Sequence, residues 1–195
     1  MGHLIVQEFV TVDGFAANTD NEFTAHELLE GGTAEFDRNQ LGWLGGVDAM
    51  VLGANTYRMF AEFWPTPASA GEVIAPALNG LRRFVFSRRL TNAPWGDLPA
   101  ATIESGDAVD AIRRIKRDVE GTIVLWGSLT LSEAFFAAGE VDGVRLVVMP
   151  VAIGAGRGVF PAGQDPTLLQ LQSATTFDAG LVELEYALGA GHSGG

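Results

Sequence analysis

The sequence predicts an α/β protein whose sheet begins parallel and closes antiparallel, and three observations carry that expectation. Leu4 to Val10 and Val47 to Gly53 are short, nearly continuous apolar runs, the pattern of strands buried on both faces of a sheet. Between such runs, apolar residues recur at helical spacing, as at Ala108, Ile112, Ile115 and Val119. From Val144 onward, VRLVVMPV, LLQLQSATTF and LVELEYAL follow one another with no helical stretch between them. Together they predict a mixed, mainly parallel sheet of about eight strands, four or five flanking helices and an antiparallel C-terminal hairpin.

Each element has its own signal. Thr33 stands where it can cap a helix that puts Phe36, Gln40, Trp43 and Leu44 on one side, and Gly45-Gly46 ends it. A short helix, Asn55 to Phe60, follows the second strand. Ala70, Val73, Ile74, Ala77, Leu78 and Leu81 keep helical spacing before the compact strand Phe84-Val85-Phe86. The strand Thr122 to Trp126 leads through Gly127-Ser128 into a helix carrying Leu131, Ala134, Phe135 and Ala138. Thr130 and Glu133 are spaced as a capping box, and Gly139 sits where that helix should stop. The closing hairpin turns near Asp178-Ala179-Gly180. Three long loops, Thr11 to Thr24, Pro65 to Gly71 and Gly154 to Pro166, are long enough to carry function.

Composition narrows the function. The 195 residues, 47% apolar, suffice for one core, so a single domain over residues 1–188 and a flexible tail at 189–195 are expected. No cysteine is present, which excludes a disulfide framework and a thiol nucleophile. A formal charge of −12 argues against nucleic acid and anionic membranes as partners. No basic segment precedes Leu4, and no apolar run is long enough to span a bilayer, so the expected compartment is the cytoplasm. His3, His26 and His192 share no metal-ligand spacing, and no metal is expected. Walker-type and nucleophile-elbow motifs are absent. Gly154-Ala155-Gly156-Arg157-Gly158 resembles a glycine-rich fingerprint but precedes no helix, so it reads as a bent loop.

In an open α/β sheet, ligands lie beyond the carboxyl ends of the parallel strands. Here those ends are followed by Thr11-Val12-Asp13-Gly14-Phe15-Ala16-Ala17, Gly53-Ala54-Asn55-Thr56, Ser87-Arg88-Arg89 and Gly127-Ser128-Leu129-Thr130. Two helix starts with exposed N–H groups and an arginine pair describe a site for a multiply phosphorylated anion such as a dinucleotide. Read singly, each has a plainer role: Gly127 as a tight turn, Asp13 as a turn carboxylate before Gly14, Arg88 and Arg89 as charges breaking an apolar strand end. The bases fall mostly in two clusters, Arg82, Arg83, Arg88, Arg89 and Arg113, Arg114, Lys116, Arg117. The second closes a helix opened by Asp107 and Asp110, matching the helix dipole.

The ordered set TVDGFAAN, LGANTYRMFAEFWP, FVFSRRL, IVLWGSLTL and LVVMPVAIGAGRGVF resembles the dihydrofolate reductase-like superfamily, in the branch of the RibD C-terminal reductase domain of riboflavin biosynthesis. The resemblance runs from about Leu4 to Leu188. It implies a three-layer dihydrofolate reductase-like fold with NADPH across the strand ends and assembly as a homodimer, for which Phe160 and Leu168-Leu169 offer an apolar patch. It places Ala16 and Ala17 near the nicotinamide, Gly53, Ala54, Asn55 and Thr56 at the pyrophosphate, and Ser87, Arg88 and Arg89 at the adenosine 2′-phosphate. Gly127, Ser128, Leu129 and Thr130 would hold the pyrophosphate from the other side. The family's glycine pair often has a cis peptide, and Ser128 replaces its second glycine. Ala54 stands where the family has arginine. Asp13 is the candidate catalytic carboxylate, and Phe15, Phe60 and Trp64, with Phe63, are candidates for the wall of a planar substrate; Arg58 and Arg157 are available to a substrate phosphate. Neither Glu35 nor Asp37 matches the acid that binds a pterin.

The activity implied is NADPH-dependent hydride transfer to a planar pyrimidine or pteridine, as in 5-amino-6-(5-phosphoribosylamino)uracil reductase. Dihydrofolate reduction and a non-catalytic nucleotide-binding homologue are the alternatives.

Overall fold

The computed structural model describes residues 1–22, 33–163 and 166–189. The readings for His26 and His192, for the loop end at Thr24, for residues 164–165 and for most of the expected tail lie outside the described residues. In chain order the strands are β1 (His3–Thr11), β2 (Phe15–Ala17), β3 (Val47–Gly53), β4 (Arg82–Phe86), β5 (Thr102–Glu104), β6 (Thr122–Trp126), β7 (Gly143–Met149), β8 (Arg157–Gly158), β9 (Leu169–Thr176) and β10 (Val182–Leu188). The helices are α1 (Ala34–Leu44), α2 (Ala54–Phe63), α3 (Ala75–Gly80), α4 (Ala108–Asp118) and α5 (Leu129–Ala137). Among the described residues, no helix is long and apolar enough to cross a membrane.

Eight strands form one sheet in the order β5-β4-β3-β6-β1-β7-β10-β9, while β2 and β8 make a separate antiparallel pair. Pairing is parallel from β5 to β7 and antiparallel through β10 and β9, the predicted mixed sheet with its closing hairpin. β1 is central because both its faces are apolar. Leu4, Val6 and Val10 join Ile112, Ile115 and Phe135 of α4 and α5 in one core layer. On the other face, Phe9 packs with Phe36 of α1, Val147 and Met149. A second cluster around Met50, Leu52, Val85 and Trp95 fills the space under α2 and α3.

Several local expectations change. The stripe from Ala70 to Leu81 is α-helical only over Ala75–Gly80, because Pro76 lacks an N–H and fits only a first turn. The helix after β3 runs to Phe63, one turn past Phe60. Thr33 precedes α1 without capping it; its hydroxyl instead donates to Asp37 Oδ2 at 2.7 Å. Thr130 and Glu133 form no capping box, since α5 begins at Leu129 and its N-cap is Ser128. Gly139 does end α5 at φ +67°, and its N–H donates to the Phe136 carbonyl.

The antiparallel end is tied down by a buried charge. Arg145 of β7 is 1% exposed, and its guanidinium pairs with Glu183 and, at 3.0 Å, with Glu185, both on β10. It also donates to Gln7 of β1 and Gln40 of α1, and stacks 4.3 Å from the Trp43 ring centre. One cation therefore joins two strands, the central strand and a helix. Arg145→Met should cost about 3–5 kcal/mol, because it strands the Glu183 carboxylate in the interior. Urea unfolding checks this; a loss below about 1 kcal/mol would mean that the cluster contributes little.

Candidate active site

Because every strand from β5 to β7 is parallel, all their carboxyl ends lie along one edge. The chain leaves β6 by α5 on one face to reach β7, and leaves β1 by α1 on the opposite face to reach β3. The crevice between β1 and β6 is thus the switch point of the sheet, where such folds bind ligands.

The starts of α2 and α5 meet at this edge. A Cβ at Gly53 would overlap the Ser128 hydroxyl, and one at Gly127 would come within 2.8 Å of Thr56 Oγ1. Each helix start therefore needs glycine opposite the other's hydroxyl. Gly127 and Ser128 both have φ +57°, and no cis peptide occurs among the described residues. Neither start has a side-chain cap, so first-turn N–H groups of both helices remain available to an anion.

The arginines divide into paired and exposed ones; among the described residues Arg38 and Arg117, like Arg88 and Arg89, are exposed without a partner, so it is position at the strand end that sets the latter two apart. Arg83 is buried, donating to the carbonyls of Asn79, Leu81 and Pro99. Arg113 pairs with Glu140 at 2.6 Å, Arg114 with Glu104, and Lys116 with Asp142 at 2.7 Å, so these bases of the second cluster bind neighbouring elements. Arg88 and Arg89, just past β4, are exposed, and among the described residues their guanidiniums have no partner. Ser87 shapes their turn, its Oγ accepting from the N–H groups of Arg89 and Leu90 at 3.2 and 3.1 Å. An uncapped pair of helix starts and two free guanidiniums on one edge fit a phosphorylated dinucleotide.

The first loop is pinned rather than open. Asp13 accepts from the N–H of Ile153 at 3.1 Å and of Gly154 at 2.8 Å. The Thr11 hydroxyl, then the Gly154 N–H, hold this exposed carboxyl below the usual carboxylate range. Beyond it, β2 pairs with β8, and a Cβ at Gly156 would overlap the Ala17 carbonyl oxygen. The glycine-rich segment is therefore a close-packed brace for the loop. Ala16 and Ala17 are buried beneath it, while Phe15 is half-buried. Phe60 and Trp64 lie on the α2 side, with ring centres 6.1 Å apart and Phe60 5.8 Å from Trp126. Both rings are half-buried against the second core. Arg157 is already engaged, paired with Glu133 at 2.8 Å and donating to Thr130. Arg58 is exposed and donates to Asn55 at 2.9 Å.

A cavity of about 250 Å³ lies at the other end of β1, lined by His3, Trp43, Arg145 and Tyr186, and holds none of these groups. With the geometry in view, the RibD C-terminal domain model matches residues 2–182. The chain belongs to the RibD C-terminal domain family.

Within reach of that family, the chain is 23% identical over 186 residues to the uncharacterized protein YyaP of Bacillus subtilis (strain 168), covering 94% of this chain and 93% of that one. Its fold is similar to a putative riboflavin biosynthesis protein from Shewanella sp. PV-4 (TM-score 0.74, 18% identity, 96% and 99% of the two chains). It is also similar to a diaminohydroxyphosphoribosylaminopyrimidine deaminase/5-amino-6-(5-phosphoribosylamino)uracil reductase from Thermotoga maritima (TM-score 0.62, 14% identity, 96% of this chain and 57% of that one). Dihydrofolate reductase from Enterococcus faecalis, complexed with NADP(H), gives TM-score 0.58 at 12% identity over 96% of each chain. The fold is dihydrofolate reductase-like.

One group in this RibD C-terminal domain was not singled out from the sequence. Glu8 of β1 is 8% exposed, one of its carboxyl oxygens has no hydrogen-bond partner among the described residues, and burial pushes its pKa up to about 8. A carboxylate inside a run read as buried on both faces was the available signal.

Proposed function

We propose that the chain is an NADPH-dependent reductase that transfers hydride to a planar, phosphate-bearing pyrimidine, a 5-amino-6-(5-phosphoribosylamino)uracil-like compound. The observation that carries this reading is the placement of Arg88 and Arg89, exposed and without partners among the described residues, on the same edge as the abutting starts of α2 and α5. The family membership and the reductase activities named for structural relatives agree with it.

In this assignment, Gly53 to Thr56 and Gly127 to Thr130 receive the pyrophosphate, and Ser87, Arg88 and Arg89 the 2′-phosphate. When bound, the cofactor supplies the hydride. The protein's part is to hold two planar groups in register and keep water out. Asp13 acts by position: ionised and tied to the loop after β7, it fixes Phe15, Ala16 and Ala17 at the edge. Phe60 and Trp64 present half-buried rings for a substrate plane, and Arg58 is the exposed cation nearest in sequence to them.

Ala54, where the family has arginine, favours a second reading in which the chain binds the nucleotide without turning it over. Dihydrofolate has less support, since Glu35 accepts from the Asp178 N–H at 2.8 Å and Asp37 from Thr33, which leaves neither free for a pterin. The resemblance to a dimeric family is matched by exposed apolar side chains, with Leu168 89%, Leu171 56% and Phe160 44% exposed, and we assign these to contact with a second copy.

Binding separates the readings. NADPH at about 100-fold excess over its Kd should stabilise the protein by about 2.7 kcal/mol in thermal unfolding. Arg88→Ala and Arg89→Ala should each weaken NADPH about 10- to 100-fold while barely changing NADH. Equal binding of NADH and NADPH would remove the arginine assignment, and binding of neither would end the reductase reading. Light scattering of the wild type should show a dimer; a monomer would remove the second-copy contact.

A further inference from the structure

Among the described residues, two buried polar atoms in the layer between the sheet and α5 have no hydrogen-bond partner. Glu8 lies on the β1 face that carries Leu4, Val6 and Val10 into that layer, and one of its carboxyl oxygens is orphaned. Ser132 of α5 is fully buried, and its hydroxyl is orphaned too. Buried polar groups are nearly always satisfied, so two exceptions in one layer call for an explanation.

Position supplies it. The last pairing of β1 with β6 is Gln7 with Trp126, so Glu8 stands one residue beyond the end of β6, beside the turn at Gly127. That is the switch-point crevice where the helix starts converge. On its other side Glu8 is paired in register with Leu146 of β7.

Among the described residues, no charged group accounts for the buried acid. Of the elements packed around it, β7 presents Leu146, and its charged residue Arg145 lies on the opposite face with Glu183 and Glu185. From α5 come Leu131, Ser132 and Phe135, while Glu133 is paired with Arg157. β2 brings only Phe15, Ala16 and Ala17, and Asp13 before it is bound to the loop after β7.

Resting on the reductase reading above, we propose that Glu8 is the catalytic acid, holding a proton at the β1–β6 crevice for the heteroatom of the bond being reduced. As hydride reaches the carbon of a C=N or C=O bond, the π pair moves onto the nitrogen or oxygen. The O–H bond of Glu8 breaks, its electrons stay on the carboxylate, and the proton forms the new N–H or O–H bond. Water returns a proton to Glu8 before the next cycle. The raised pKa agrees, since it keeps the acid loaded at neutral pH.

The test is calorimetric titration with NADPH near pH 8 in buffers of different ionisation enthalpy, on wild type and Glu8→Gln. Wild type should take up a fraction of a proton on binding, because the ring displaces water from Glu8 and raises its affinity for a proton. Glu8→Gln should bind NADPH within about threefold of wild type and lose that uptake. NADPH binding with the same proton uptake in both proteins overturns the proposal and leaves the reductase reading standing. No NADPH binding by wild type overturns both.

Stability gives a second readout. Burial raises the folded pKa above its unfolded value near 4.5, so the stability tied to the neutral acid is full below pH 4.5 and lost as pH rises through about 8. Wild type should melt lower with rising pH, and Glu8→Gln should not. A buried structural acid would share this melt but not the NADPH-linked proton. If Glu8→Gln does not fold, infrared difference spectra of wild type decide. A protonated carboxyl band perturbed by NADPH supports the assignment, and its absence overturns it.

Discussion

A parallel strand cannot return by a tight turn, and the structure depends on that constraint. Each parallel strand must discharge into a crossover at its carboxyl end. Consequently β1, β3, β4 and β6 empty onto one edge, bringing together loops far apart in sequence. Because α1 and α5 leave on opposite faces, the β1–β6 junction is the switch point of the sheet, where such folds bind ligands. Gly53 and Gly127 then let α2 and α5 begin in contact, with Ser128 and Thr56 filling the space their missing side chains leave.

The same edge accounts for how this acidic chain places its few cations. Arg83, Arg113, Arg114, Lys116, Arg145 and Arg157 all have protein partners, so they bind the fold together. Arg88 and Arg89 are exposed at the strand end, without partners among the described residues. Isolated surface guanidiniums contribute little to stability, and the proposed function gives these two the 2′-phosphate of the cofactor. Arg145 is the opposite case. Its burial among Glu183, Glu185, Gln7 and Gln40 fixes the antiparallel strands against the parallel block.

What could be read from the sequence was what depends on local pattern. Continuous apolar runs foretold β1 and β3, helical stripes foretold α4, and the alternating C-terminal runs foretold the hairpin. The edge was also legible, because strand order implies where loops emerge. Short elements were not: β5, β2 and β8 are two or three residues long and exist only through their partners. The box at Thr130 and Glu133 failed because α5 begins one residue before Thr130, and Arg157, remote in sequence, pairs with Glu133 instead. Glu8 and Arg145 were missed for the same reason. A charge within an apolar run is visible, but whether it is paired or orphaned depends on residues more than a hundred positions away, as Arg145 with Gln7 shows.

In the proposed function a phosphorylated nicotinamide dinucleotide lies along the carboxyl edge. Backbone amide shifts recorded by NMR during titration with NADPH test it most directly. The account predicts the largest shifts at Gly53 to Thr56, Ser87 to Arg89 and Gly127 to Thr130. Shifts confined to the cavity by Trp43, Arg145 and Tyr186, or no shifts at saturating NADPH, would contradict it.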